Sequence, residues 1–321
     1  MMYNYITDID GIRVGHASDF NALTGCTVIL FDRPAVGGVD IRGTAAGTRQ
    51  MDALFPSHYV ESVNAVLLAG GSSFGLNAAG GVMTYLEERG IGLDVGVAKV
   101  PIVPTAILFD LGIGDHSVRP NSEMAYQACL NASTENIKRG SVGAGTGATI
   151  GKLFGISRAM KGGLGSASTS LDTGLMVAAL VAVNAFGDIL DECTGKPIAG
   201  ARTGTNEKTL IDSAEQIRRG VARRKFGEMS TTLGVIVTNA RLSKVQAAKV
   251  AQMGHVGLGR VISPVHSVFD GDVIFAFSVG NIEANLNTVG LLGEAMIRHA
   301  VRDAIVQADG FGVIPAYKDI I

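Results

Sequence analysis

Short apolar runs and longer amphipathic stretches alternate along the chain, separated by polar or glycine-rich segments. Compact runs of β-branched and other apolar residues predict strands, whereas apolar residues spaced three and four apart predict helices. The predicted strands are Ile12–His16, Gly25–Phe31, Ala65–Ala69, Ala106–Leu111, Leu175–Ala185, Asp188–Asp191, Leu233–Val237 and Asp272–Ser278. The predicted helices are a stretch from after Asn77 to about Glu88, then Ser122–Asn131, Ser243–Gly254 and Leu286–Ala308. With no internal repeat, this order predicts one α+β domain, residues 1–321, in which helices cover sheets.

Glycine is unusually frequent, with 43 residues that sit in short clusters between apolar segments. Pro34 to Thr48 is a glycine-rich segment that favours turns, and in the loop from Gly143 to Lys152 the backbone must approach a neighbour closely. The chain is 47% hydrophobic but has no Trp, so Val, Ile, Leu and Ala make up most of the core. Small residues at element junctions therefore predict closely stacked layers.

Charge and hydropathy restrict the classes of partner. The net charge is −2, so no overall basic field attracts nucleic acid, and the basic cluster from Arg218 to Lys225 is expected to be a solvated loop or helix face. The longest apolar run, Leu175 to Phe186, is too short to cross a bilayer and contains Asn184. The N-terminal residues lack the basic and apolar regions of a signal peptide. We therefore expect a cytoplasmic protein without a membrane partner.

The three cysteines are Cys26, Cys129 and Cys193, and none has CxxC spacing. An odd number of scattered cysteines argues against a disulfide framework, so each is expected to be a small buried hydrophobic residue. The six histidines never recur three or four residues apart, which is the spacing of helical metal ligands. We therefore expect no metal ion.

Cofactor-binding patterns are also missing. The loop that ends at Gly151 and Lys152 has Thr146 where a phosphate-binding P-loop needs glycine, and Leu153 where it needs Ser or Thr. No G-x-G-x-x-G fingerprint or G-x-S-x-G nucleophile elbow occurs. The sequence therefore predicts no nucleotide or other cofactor.

The junction at Ser230, Thr231 and Thr232 carries the strongest chemical signal. A charged, polar run stops there, and an apolar β-branched strand begins at once. A hydroxyl residue at such a junction can attack the carbonyl before it, cleave the chain and become a new N-terminus. Its freed α-amine, with an ordinary pKa of about 7.7–8.0, can then serve as the base for its own hydroxyl. The alternative is a buried strand that happens to begin with two threonines.

A second signal is Asp270-Gly271-Asp272, at the entrance to an apolar strand. Two carboxylates in this arrangement can share a proton and orient an ammonium or a hydroxyl. The alternative is a turn before a strand, since Asp-Gly is a common turn dipeptide. A turn explains Asp270 and Gly271 but does not require Asp272.

Together these motifs resemble the self-cleaving aminopeptidase family that includes L-aminopeptidase/D-esterases, β-peptidyl aminopeptidases and nylon-oligomer hydrolases. The resemblance covers nearly the whole chain, and its segments are Asp8-Ile9-Asp10-Gly11, Arg42-Gly43, residues 69–76, residues 143–147, residues 160–165, Asn184, Thr231-Thr232 and residues 270–272. It implies a four-layer αββα sandwich of the N-terminal-nucleophile type. It also implies self-cleavage at Ser230-Thr231 into a large chain, 1–230, and a small chain, 231–321, with tetramers of cleaved pairs as the common assembly.

The resemblance also implies roles for individual residues. Thr231 matches the nucleophile, and Asn184 matches an asparagine that donates to the oxyanion. Asp270 and Asp272 match the pair that orients the nucleophile's amine, and Lys152 matches a lysine that some relatives place near the nucleophile. The residues expected to line the substrate site are Gly71, Ser72, Phe109 and Gly145. The implied reaction is hydrolysis of small peptides, amides or esters through a Thr231 acyl-enzyme.

Three departures from the family pattern leave alternatives open. Ser230 stands where relatives usually have Asn or Gly, so a cut between Met229 and Ser230 is a second possibility. Phe109 stands where relatives have a tyrosine that supports the oxyanion, and phenylalanine cannot donate a hydrogen bond. The polar loop from Thr194 to Lys208 has no match. The rival functions are an acyltransferase on the same scaffold and an uncleaved, non-enzymatic relative.

Overall fold

The computed structural model describes residues 2–3, 5–135, 137–222 and 229–320. The strands are β1 Met2–Tyr3, β2 Ile12–Asp19, β3 Thr24–Gly43, β4 Gly47–Arg49, β5 Val63–Ala69, β6 Leu93–Asp94, β7 Lys99–Val100, β8 Thr105–Ile107, β9 Thr149–Ile150, β10 Met160–Lys161, β11 Gly163–Ser170, β12 Met176–Asn184, β13 Asp188–Leu190, β14 Pro197–Ala199, β15 Thr231–Ala240, β16 Ile262–Ser263 and β17 Gly271–Ile282. The α-helices are α1 Ala79–Glu87, α2 Ser122–Leu130, α3 Ser213–Arg218, α4 Lys244–Val261 and α5 Leu286–Val306.

Strand β3 belongs to both halves of the main β-structure. Its first part, Thr24–Phe31, pairs with β2 and β5, and β5 continues to β8 and β4. Its second part, Val36–Gly43, pairs with β17. From β17 the order continues through β15, β12 and β11 to β1. One long strand thus joins two sheets, and β15 and β17 lie side by side in the sheet that contains its second part.

Three hydrophobic cores separate four layers. The central core lies between the two sheets and includes Leu180, Val235 and Phe275 together with Ile29 and Leu68. A second core packs the opposite face of β12, β15 and β17 against α4 and α5. A third core packs β3 and β5 against α1 and α2. Because strand side chains alternate between faces and both faces are covered, these strands appear in the sequence as unbroken apolar runs. The predicted αββα sandwich is confirmed.

Glycines allow the layers to approach within backbone contact. A Cβ at Gly38 of β3 would lie 2.1 Å from the backbone N of Ala248 in α4. A Cβ at Gly165 of β11 would lie 2.0 Å from the carbonyl O of Ala300 in α5. Such distances are far inside van der Waals contact, so only glycine fits. The predicted close stacking is confirmed at these positions.

Several local predictions were wrong. The segment Pro34 to Thr48 is not mainly turn, because β3 continues to Gly43 and its two central glycines, Gly37 and Gly38, face Phe277 and helix α4. The strand predicted over 106–111 is confined to β8, and the helix that begins after Ser243 extends to Val261. The loop predicted over 194–208 contains β14.

The remaining predictions on surface and composition have mixed outcomes. Cys26 and Cys129 are buried as predicted, but Cys193 is exposed because it lies in the turn after β13. Arg218 ends α3, while residues 223–225 of the basic cluster lie outside the described residues. Among the residues that the structure describes, no helix has the length and apolar character needed to cross a membrane.

Candidate active site

The predicted nucleophile is the first residue of β15, between two buried strands. On one side β15 pairs antiparallel with β12, where Asn184 lies opposite Thr231. On the other side it runs parallel to β17, and Ser230 bridges to Asp270 just before both strands begin. Thr231, Ser230 and Asn184 are each 0–1% exposed. The junction is therefore held inside the protein by pairing on both sides.

The peptide carbonyl of Ser230 receives two hydrogen-bond donors. The Thr231 hydroxyl Oγ1 lies 2.5 Å from the Ser230 carbonyl O. The backbone N–H of Gly271 donates to the same oxygen at 2.9 Å. The Ser230 N–H donates to the carbonyl of Phe269 at 2.8 Å, which fixes the orientation of the peptide. The Thr231 hydroxyl therefore lies against the peptide that precedes it, and a fixed N–H is already in place on the oxygen where an oxyanion would form.

Lys152 and Asn184 form a buried polar contact beside this junction. The Lys152 ammonium donates to the Asn184 side-chain Oδ1 at 2.8 Å and to the Asn184 carbonyl at 2.9 Å. It also lies 3.2 Å from the Ser230 hydroxyl. Asn184 Oδ1 accepts a further bond from the Thr149 N–H at 2.9 Å, and its amide Nδ2 donates to the Phe109 carbonyl at 2.9 Å. The asparagine side chain is consequently locked, with the positive charge of Lys152 directly beside it.

The two aspartates of the Asp270-Gly271-Asp272 motif are both 1% exposed but face different partners. Asp272 Oδ1 accepts the backbone N–H of Thr232 at 2.6 Å. Asp270 accepts N–H donors from Phe186 and Ser267, and a short bond from the Ser267 hydroxyl. Burial, and then the negative charge of Asp272, raises the pKa of Asp270 to about 6. The pair flanks the start of β15, and burial makes the charged form of Asp270 less favourable than that of an exposed aspartate.

The predicted substrate-binding residues lie around the contact between Lys152 and Asn184. Gly71 and Ser72 lie at the start of a short 3-10 helix. The Gly71 N–H donates to Asp110 Oδ1 at 2.7 Å, and the Ser72 N–H donates to the carbonyl of residue 108 at 3.0 Å. Burial raises the pKa of Asp110, although its hydrogen bonds favour the charged form. Phe109 contributes its carbonyl to Asn184, whereas the carbonyl of Gly145 accepts the buried Lys161 ammonium at 2.9 Å. Phe109 thus contacts Asn184 directly, whereas Gly71, Ser72 and Gly145 form their hydrogen bonds with groups other than Asn184 and Lys152.

A surface cleft reaches this region. Among the described residues, a cleft of about 760 Å³ is lined by residues 112–114, 156–157, 202, 205–208, 309–315 and 319–320. Its residues Gly112, Ile113 and Ile156 also line a small cavity together with Phe109, Asp110, Gly147, Thr149, Lys152 and Met229. The cleft therefore leads toward Lys152 and toward the residue that precedes Ser230.

Some site residues were missed by sequence reasoning. His266 lies 2.7 Å from Asp272 through its Nδ1 atom, and Ser267 donates to Asp270. Thr149 orients Asn184 through its backbone N–H, and the backbone N–H of Gly271 donates to the Ser230 carbonyl. The position of His266 and Ser267 a few residues before the aspartates was the available signal. Backbone donors leave no signal in residue type.

Comparison with solved structures defines the class of fold. An L-aminopeptidase D-Ala-esterase/amidase from Ochrobactrum anthropi, whose structure is described as a variant of the Ntn hydrolase fold, superposes with a TM-score of 0.71. The match covers 96% of this chain and 87% of that chain, at 20% sequence identity. The four layers and the central β15 are therefore those of an Ntn hydrolase fold.

Sequence comparison identifies the family. The profile of peptidase family S58 matches residues 4–311, and the chain belongs to this family. An uncharacterized aminopeptidase of Mycobacterium leprae is 38% identical over 98% of this chain and 93% of its own length. A 6-aminohexanoate-oligomer endohydrolase of Agromyces sp. is 29% identical over 92% of this chain and 84% of its own length. The protein is accordingly a hydrolase of peptide or amide bonds, as the sequence motifs predicted.

Proposed function

We propose that this chain is an N-terminal-nucleophile aminopeptidase or amidase that matures by cleaving itself between Ser230 and Thr231. The observation that carries the proposal is the 2.5 Å contact between the Thr231 hydroxyl and the carbonyl oxygen of Ser230. The Gly271 N–H at 2.9 Å from the same oxygen supports it, because a donor there stabilises negative charge as the hydroxyl attacks. The Ser230 hydroxyl, by comparison, faces Lys152, which favours a cut after Ser230 over one before it.

The maturation step follows from these contacts. Thr231 Oγ1 attacks the Ser230 carbonyl carbon, and the oxyanion forms on the oxygen that Gly271 holds. Collapse breaks the Ser230–Thr231 amide bond, and the hydroxyl proton passes to the departing Thr231 nitrogen. Water then hydrolyses the resulting ester, which leaves a carboxylate on residue 230 and a free amine on residue 231. The products are the large chain 1–230 and the small chain 231–321.

Substrate hydrolysis would repeat the same chemistry. The freed Thr231 amine takes the hydroxyl proton and returns it to the leaving amine, while the hydroxyl forms an acyl-ester with the substrate. Asn184 and Lys152 present a fixed dipole and a positive charge beside the reacting carbonyl. The acidic pair Asp270 and Asp272 flanks the nucleophile's strand and orients its amine. The cleft that ends at Lys152 supplies the route for a small peptide or amide.

Trapping the acyl-enzyme tests this function. Purified mature protein would be mixed with amino-acid anilides, quenched in acid within the first turnover and examined by intact mass. We expect the acyl group on the small chain, at Thr231, with none in Thr231→Ala. Thr238→Val, at the other end of β15, is the matched control and should trap acyl groups normally. An acyl group on another residue would contradict the proposal.

A competing amine separates hydrolysis from acyl transfer. Water as the acceptor even in excess amine would establish a hydrolase alone, whereas acyl-amine product would favour the acyltransferase alternative. The homotetramer implied by the family resemblance is a further part of the proposal. Light scattering on the eluting mature protein should give four times the 33.2 kDa mass of the chain, and a monomer mass would contradict it.

A further inference from the structure

Asp272 links the start of β15 to a histidine outside the motif. One carboxylate oxygen, Oδ1, accepts the Thr232 N–H at 2.6 Å. The other, Oδ2, lies 2.7 Å from the Nδ1 atom of His266. Since a carboxylate oxygen accepts this bond, Nδ1 is the protonated nitrogen of the ring. Both oxygens of this buried side chain are therefore held, one by the strand and one by the imidazole.

His266 is placed for this contact at a cost in backbone energy. Its φ is 52°, in the left-handed region that residues other than glycine and asparagine rarely adopt. The side chain is 23% exposed, whereas that of Asp272 is 1% exposed. The imidazole thus spans the distance from the buried carboxylate to the protein surface.

Asp272 is the acidic group that contacts the His266 imidazole. The ring of His255 lies edge-on at 4.8 Å between centroids, and burial lowers the pKa of His255 to about 4, so that ring is neutral at neutral pH. His255 Nε2 in turn lies 3.0 Å from the Asp40 carbonyl, and the Asp40 carboxylate pairs with Arg42.

On the strand side, the nearby acidic group is Asp270, whose carboxylate is occupied by Phe186 and Ser267. The imidazole contact therefore distinguishes the two aspartates of the motif. Asp270 is held by uncharged donors, whereas Asp272 has a titratable one.

We propose that His266 is a positioning residue that fixes the Asp272 carboxylate against the start of β15 and so orients the Thr231 amine during hydrolysis. This inference rests on the proposed function, since it needs Thr231 as the nucleophile. Without His266, Asp272 keeps its bond to Thr232 but its second oxygen loses the donor that fixes the plane of the carboxylate. The reacting amine is then misaligned without loss of the substrate cleft.

The test uses two variants that suit the backbone at position 266. Glycine and asparagine both tolerate a positive φ, so His266→Gly and His266→Asn should fold and mature. We expect kcat to fall about 10- to 100-fold at nearly constant KM, because orientation of a proton-transfer group is lost. Imidazole added to His266→Gly should restore part of kcat.

Controls separate this inference from the proposed function. His58→Asn removes another half-buried histidine that pairs with Asp52, and it should leave kcat and its pH profile unchanged. Wild-type kcat in both His266 variants would overturn the inference alone, as would a fall in kcat that added imidazole cannot restore in His266→Gly. Hydrolysis that persists in Thr231→Ala would overturn the proposed function, and this inference with it.

Discussion

Replacing Lys152 by Met should slow self-cleavage far more than it destabilises the fold. The substitution keeps the length of the side chain but removes an ammonium that contacts the Ser230 hydroxyl at 3.2 Å and two oxygens of Asn184 at 2.8–2.9 Å. A hydrogen bond to a charged group contributes about 1.5–3 kcal/mol. If the Ser230 contact alone is needed to hold the reacting peptide, its loss slows cleavage about 10- to 150-fold, since 1.36 kcal/mol corresponds to tenfold.

Stability should change much less, because two terms oppose each other. The lost bonds weaken the fold, but a buried ammonium carries a desolvation cost of several kcal/mol, and methionine removes that cost. Asn184 Oδ1 also keeps the Thr149 N–H, so it is not left unsatisfied. The free energy of unfolding should therefore change by no more than about 2 kcal/mol.

The assay follows conversion of purified precursor into two chains by intact mass, with urea unfolding measured in parallel. Lys244→Met is the matched control, because Lys244 is also buried and donates to the carbonyls of Ala53, Phe55 and Val60, away from the cleavage junction. It should leave the cleavage rate unchanged. Wild-type cleavage by a stably folded Lys152→Met protein would refute the reasoning.

Three further predictions concern packing, thiols and pH. Gly38→Ala should lower the free energy of unfolding by about 1–3 kcal/mol in a urea titration, because its Cβ overlaps the backbone of α4; an unchanged midpoint would contradict the close approach. A disulfide reagent should modify only Cys193 in the native protein and all three cysteines after unfolding, since Cys26 and Cys129 are buried and burial raises the pKa of both thiols. The pKa of His255 is lowered to about 4 in the folded protein, whereas an unfolded histidine has a pKa of about 6.5. The unfolded state therefore takes up the proton first as the pH falls. The fold should lose about 2 kcal/mol between pH 7 and pH 5 from this residue, and His255→Gln should remove that part of the loss.

The sequence predicted the layers because they depend on patterns along the chain, and the strands that carry the candidate site residues follow from the same patterns. Strands β12, β15 and β17 are unbroken apolar runs, and each carries a polar residue at the end where the site lies: Asn184, Thr231 and Asp272. Their meeting at one place follows from strand pairing, with Asn184 opposite Thr231 and β17 parallel to β15. The pattern therefore indicates where these three residues lie, whereas the roles predicted for them come from the family resemblance.

Features that depend on contacts between distant backbones could not be predicted. Gly37 and Gly38 favour a turn in isolation, but both pair with β17 and continue β3. Their missing side chains leave room for the Phe277 ring and for helix α4. The Gly271 N–H that donates to the Ser230 carbonyl has no residue-type signal. Histidine spacing along the chain reports only on helical metal ligands, whereas the contact of His266 with Asp272 involves a left-handed backbone conformation at His266.

Self-cleavage at Ser230–Thr231 is tested most directly by the intact mass and N-terminal sequence of the purified protein, measured beside Thr231→Ala. The account predicts two fragments in the wild type, the smaller beginning Thr-Thr-Leu-Gly, and a single full-length chain in the variant. A small fragment that begins Ser-Thr-Thr would move the nucleophile to Ser230. One uncleaved chain in the wild type, or equal cleavage in Thr231→Ala, would contradict the central claim.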